Sequence, residues 1–109
     1  MMLITDKMMH SKIAEFAVGH RIFKIFYSGK IKNEKKGDNK IVVGETDHLR
    51  NLVTIGDGLS SQDSFNAFIH EALHCSLVVL GENELNDNEC FVERLSTIMS
   101  QALLTAELQ

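Results

Sequence analysis

His70-Glu71-Ala72-Leu73-His74 sets two imidazoles four residues apart, with a carboxylate directly after the first. A helix turns by about 100° per residue, so side chains at that spacing stand one above the other on a single face. Two imidazoles so placed can grip one tetrahedral metal ion, and zinc is the ion that this HExxH spacing usually holds. The chemistry would be hydrolysis. Zinc lowers the pKa of a bound water towards neutrality, and Glu71 would take the proton as that water attacks a carbonyl.

The element that must carry this motif is a helix. Phe65 to Leu80 is a mostly apolar run, preceded by Ser60 and Ser61 as candidate N-caps and by Asp63 in the first turn, and followed by Gly81 as a stop. In helical projection Phe65, Phe68, Ile69, Ala72, Leu73, Cys75, Leu77, Val79 and Leu80 cover most of the circumference. His70, Glu71 and His74 share the narrow sector left over. A helix apolar nearly all round is a central one, and its polar groups need partners because unpaired burial is costly. A metal ion would satisfy both imidazoles at once.

A catalytic zinc takes three protein ligands and keeps a fourth position for water. The candidates for the third lie in Asn88-Glu89-Cys90-Phe91-Val92-Glu93, at the start of a last helix expected over 88–107 with Asp87 as its cap. Phe91, Val92, Leu95, Ile98, Met99, Ala102 and Leu103 form the expected core face of that helix. Glu89 lies on the shoulder of this face and is the better placed ligand. Glu93, one turn on, would accept a hydrogen bond from a ligand histidine, although the two roles could be exchanged.

His70-Glu71-Ala72-Leu73-His74 followed by Glu89-Cys90-Phe91-Val92-Glu93 resembles the gluzincin pattern, in which HExxH precedes a helix carrying E-x-x-x-D or a near variant. The size and order are similar to those of the miniature gluzincins and of the small HExxH proteins often encoded by phages. Val53-Thr54-Ile55 ahead of Phe68-Ile69-His70-Glu71 resembles the strand and helix that precede the metal site there. The resemblance spans roughly residues 41–104. It implies zinc on His70, His74 and Glu89, with Glu71 as catalytic base, and Glu93 stands where larger members carry aspartate.

The remaining elements read as a small sheet. Ile22 to Tyr27 is aromatic and β-branched and forms a strand; Ile41-Val42-Val43 and Leu52 to Ile55 are the second and third. Ser11 to Val18 fits a short helix or, alternatively, Glu15 to Val18 a strand turning at Gly19-His20, and Glu82 to Asp87 fits a polar loop. The expectation is one α+β domain over residues 1–109, a minimal zincin-like unit. A three-stranded antiparallel or mixed sheet packs on the HExxH helix and the glutamate helix. Leu52 to Ile55 is the strand expected to offer a free edge to an extended peptide.

Composition bounds the function. The chain has 109 residues, 44% hydrophobic and 24% charged, enough for one modest core and against disorder throughout. A net charge of −4 gives no nucleic-acid footprint, and the basic run Lys30 to Lys36 reads as a solvated hairpin tip. No apolar stretch has the length to cross a bilayer, and Met1 to Lys7 lacks the order of a signal peptide. Cys75 and Cys90 make no disulfide framework and read as small buried hydrophobes, so a cytoplasmic setting is expected. Tyr27 reads as core and His48 as solvent-facing, while His10 and His20 have no assigned role. The sequence therefore predicts a zinc metallopeptidase acting on a peptide or protein with one zinc ion, without nucleic acid or membrane. The alternative is a non-catalytic, zinc-stabilised structural or regulatory binding module.

Overall fold

The computed structural model describes residues 14–28 and 44–106. Among these residues four strands come first: β1 (Ala14–Val18), β2 (Arg21–Ser28), β3 (Gly44–Asp47) and β4 (Leu52–Gly56). Three helices follow: α1 (Ser61–Leu80), α2 (Asn83–Asp87) and α3 (Glu89–Thr105). The α+β class holds, but the sheet has four strands in the order β1-β2-β4-β3. The β1–β2 and β3–β4 pairs are antiparallel and the β2–β4 pair is parallel.

Two sequence expectations are decided here. The segment that fitted helix or strand is a strand from Ala14, because Ala14, Phe16 and Val18 pack against the core while Glu15 and Ala17 are exposed. Leu52 to Ile55 is no edge. It lies inside the sheet between β2 and β3, which its buried Val53 and Ile55 require. Among the described residues the edges are β1 and β3. The expected strand over Ile41-Val42-Val43 lies outside the described residues.

One face of the sheet makes the core. Phe23 and Ile25 of β2 alternate inward beside Val53 and Ile55 of β4, all fully or almost fully buried, and meet Ala67 and Cys75 of α1. Phe16 stacks on Phe23 at 5.4 Å between centroids and meets Phe68 edge-on at 5.1 Å, tying β1 to α1.

Helix α1 starts where its cap chemistry says it should. The Ser60 hydroxyl accepts from the Asp63 N–H at 3.1 Å, and Asp63 lies in the first turn. It ends at Gly81, whose φ of +76° is the left-handed conformation a side chain would resist. Contacts to β1, β3 and β4 as well as to α2 and α3 make α1 the central element. The expected polar loop over Glu82 to Asp87 folds mostly as α2.

Helix α3 is capped by Asn88, whose side chain accepts from the Phe91 N–H at 3.0 Å, and not by Asp87. Its last helical residue is Thr105. Its packing departs further from expectation. Val92, Ser96 and Ser100 are the buried residues, whereas Ile98 is 63% exposed and Met99, Ala102 and Leu103 are exposed as well. The face turned inward is small and partly polar, about 100° round from the centre of the apolar stripe.

Candidate metal centre

The site lies between α1 and α3, and its geometry follows from their register. His70 and His74, one turn apart on α1, set their rings 5.0 Å apart between centroids. Glu89, first residue of α3, reaches between them. Its Oε1 lies 2.7 Å from Nε2 of His70 and 3.0 Å from Nε2 of His74. One ligand atom from each of the three residues falls within 4.8 Å of the others, so this group could hold a metal ion.

The donor set fits such an ion. With bonds of about 2.0–2.1 Å, tetrahedral ligand atoms stand roughly 3.3 Å apart, a few tenths of an ångström more than the two Glu89 distances. Glu89 is the more exposed partner and first in its helix, so a small retreat costs little. Two nitrogens and one carboxylate oxygen suit a borderline divalent cation.

The outward ring nitrogens are also engaged. Nδ1 of His74 lies 2.7 Å from Oδ1 of Asn86 in α2, and donating its proton there leaves Nε2 as the ligand atom. Nδ1 of His70 lies 3.5 Å from both Oε2 of Glu93 and the Ser96 hydroxyl. The structure thus brings Glu89 to both imidazoles and Glu93 to the far side of one.

Charge follows the same geometry. Burial works against the imidazolium of His74, but the Asn86 and Glu89 hydrogen bonds and the charges of Glu89 and Glu71 outweigh it and raise its pKa. Burial likewise opposes ionisation of Glu89, yet its bond to His74 and the two nearby imidazoles hold its carboxyl below the ordinary value.

Glu71 points elsewhere, into the junction of α1 with β3, and is only 6% exposed. The Thr46 hydroxyl donates to its Oε1 at 2.7 Å. Oε2 accepts from no described side chain or backbone N–H. Burial chiefly raises the Glu71 pKa, helped by the negative charge of Glu89 and opposed by the Thr46 hydrogen bond and the two imidazoles. The closeness of β3 depends on Gly44. A Cβ there would stand 3.1 Å from Cγ and 3.3 Å from Oε2 of Glu71, tighter than ordinary contact.

Gly44, Thr46 and Asn86 were not singled out from the sequence. Each meets the motif only through the fold, and no local spacing announces it. His48, expected in solvent, is half-buried, and burial foremost, with the charges of Arg21 and His74, lowers its pKa against the pull of Asp47. Tyr27 packs against the core as expected. Cys75 is fully buried and its thiol is pushed up to about 11, mainly by burial. Cys90 is exposed, contrary to the expectation of a buried hydrophobe, since its position on α3 faces away from α1. Both thiols are free. No helix among the described residues is long and apolar enough to cross a membrane.

Comparison with known proteins returned no match to a family model, to a curated protein or to a solved structure.

Proposed function

We propose that this chain is a minimal zinc-dependent metallopeptidase of the gluzincin kind, hydrolysing a peptide or protein in a reducing, cytoplasmic setting. The observation that carries the reading is the convergence of His70 Nε2, His74 Nε2 and Glu89 Oε1, with a buried carboxylate held by Thr46 on the same turn of α1. Two free cysteines support the setting.

A zinc ion held by those three residues would acidify a bound water and polarise a carbonyl oxygen. The chain's own groups do the rest. Thr46 occupies Oε1 of Glu71 and leaves Oε2 to take the proton of the attacking water and hand it to the departing amine. Burial of Glu71 brings its pKa nearer neutrality, where a carboxylate can both accept and release a proton. Strand β3, an edge of the sheet among the described residues, replaces β4 as the site for main-chain pairing with an extended substrate. Asn86 and Glu93 hold the two rings in place.

The test has two parts. Purified protein should carry about one zinc per chain and His74→Ala should lose it. Glu71→Gln should keep the metal while cleaving peptides on the order of 10²–10⁴-fold more slowly. A Glu71→Gln variant as active as the parent would rule the mechanism out.

One observation favours a second reading. Glu71 is almost wholly enclosed between α1 and β3, as a structural carboxylate would be. A zinc-stabilised binding module, with regulation rather than hydrolysis as its role, would show a large fall in melting temperature on chelation and no cleavage of any peptide.

A further inference from the structure

Hydrolysis at this centre needs a group that steadies the carbonyl oxygen as charge gathers on it, and neither Glu71 nor the three ligands can donate a hydrogen bond there. His48 is placed to do so. Along β3, Gly44 and Thr46 are half-buried towards α1 and Glu45 and Asp47 are exposed; His48, first residue of the turn that follows, is half-buried as well. Gly44 and Thr46 both touch Glu71, and His48 is the next half-buried residue along the chain. The charge of His74 is among those that act on the His48 ring.

The backbone around His48 is held from two directions. Arg21 of β2 donates through its guanidinium to the His48 carbonyl, and to Oδ1 of Asn51 from Nε at 3.0 Å and from Nη2. Asn51 closes the turn with a φ of +56°. Oδ1 of Asp47 accepts from the N–H groups of Leu49 and Arg50 at 3.0 and 3.2 Å. A loop fixed this way carries its side chain at a defined position, as preorganised catalysis requires.

The ring itself is left unsatisfied. Nδ1 is buried and has no hydrogen-bond partner among the described residues. A neutral imidazole carries one proton, and burying an N–H without an acceptor costs more than placing that proton on the accessible nitrogen. The proton therefore resides on Nε2, which makes no hydrogen bond to a described residue. His48 lies outside the three-residue ligand group, so its free nitrogen is not committed to the metal.

We propose that His48 is a catalytic residue of this centre, its Nε2–H donating a hydrogen bond to the carbonyl oxygen of the peptide bond being cleaved, beside His74. This rests on the hydrolase reading. The proton stays on Nε2 throughout; the water proton passes to Glu71 and then to the leaving amine, so His48 neither gains nor loses charge. Burial foremost, then the charges of Arg21 and, in the metal-free protein, of His74, lower the pKa of the ring against the opposing Asp47.

The experiment pairs kinetics with nitrogen NMR. On internally quenched peptides that the zinc-loaded parent cleaves, His48→Phe should lower kcat on the order of 10²-fold, with KM and zinc content little changed. His48→Gln, which offers an amide donor, should recover part of that loss and serves if His48→Phe fails to fold. In metal-free, isotope-labelled protein at neutral pH, His48 should be neutral with its proton on Nε2. A His48 variant with the parent's kcat, or a proton found on Nδ1, would overturn the proposal while leaving the hydrolase reading standing. A zinc-loaded parent that cleaves no peptide would overturn both.

Discussion

Asn86 and His74 meet at 2.7 Å, the amide oxygen of one against Nδ1 of the other, across the turn that Gly81 creates. The contact makes α2 part of the metal site, because the short helix sets which nitrogen of His74 faces Glu89. Asn86→Ala should weaken zinc binding about 10–100-fold, read by competition with a chromophoric chelator. Unchanged affinity would show that the orientation of His74 is set by other contacts.

Glu89 and Glu93 should separate cleanly. Glu89→Ala removes the carboxylate oxygen that, among the described residues, lies near both Nε2 atoms and should cost most of the metal at micromolar zinc. Glu93→Ala touches only the far nitrogen of His70, at 3.5 Å, and should leave the protein zinc-loaded with affinity lowered about tenfold. Elemental analysis after dialysis distinguishes the two, and the reverse ranking would exchange their roles.

Gly44→Ala should push Glu71 aside without touching a ligand. The added methyl would meet Glu71 at 3.1 Å, so the side chain must shift by a few tenths of an ångström. Cleavage should fall about 10–100-fold, as small misplacements of a reacting group do, while zinc content holds. A lower unfolded-chain entropy offsets part of the crowding, so the change in stability should stay within about 1 kcal/mol. Full activity in this variant would mean that Glu71 has room to spare.

Protonation of the metal-free protein has a definite sign. Glu71 and His74 have raised pKa values in the folded state. Their stabilising contributions are complete below the unfolded values, about 4.3 and about 6.5, and are lost as pH rises through the raised folded ones. Glu89, with a lowered pKa, contributes above about 4.3 and loses its contribution as pH falls through its folded value. His48, with a lowered pKa, acts in the opposite direction over the same range. With His48 replaced by Phe, urea midpoints in chelator should therefore decline as pH climbs from about 5 to about 8, and midpoints in zinc should rise because the metal competes with the proton for His74. A chelated His48→Phe protein that grows more stable over that range would contradict these shifts.

What could be read from the chain was local. His70 and His74 needed only helical spacing, Ser60 and Gly81 only cap chemistry, and the reach of Glu89 only its place on the shoulder of α3. The amphipathic pattern of α3 showed which side is apolar but not which neighbour it meets. Val92, Ser96 and Ser100 face α1, and Ile98 and Leu103 are left exposed. Ala14 to Val18 has a pattern that either period accommodates, and only pairing with Arg21 to Ile25 decides for strand. Strand order could not be read either, so Leu52 to Ile55 looked like an edge until β3 was found beside it. Thr46 in β3, Asn86 in α2 and His48 in the turn after β3 are polar residues in or beside short elements, where composition favours solvent. Their tasks come from neighbours distant in sequence.

The side-by-side, same-direction pairing of β2 with β4 has a kinetic consequence. Lys24 must find Leu52 across a long closed loop, whereas Asp47 finds Leu52 across a tight turn. The hairpin that carries Thr46 and His48 can therefore form early on its own, and docking of β2 beside it becomes the slow event of folding. Arg21, which clamps that hairpin, arrives only with the late strand, so the geometry around His48 is completed last.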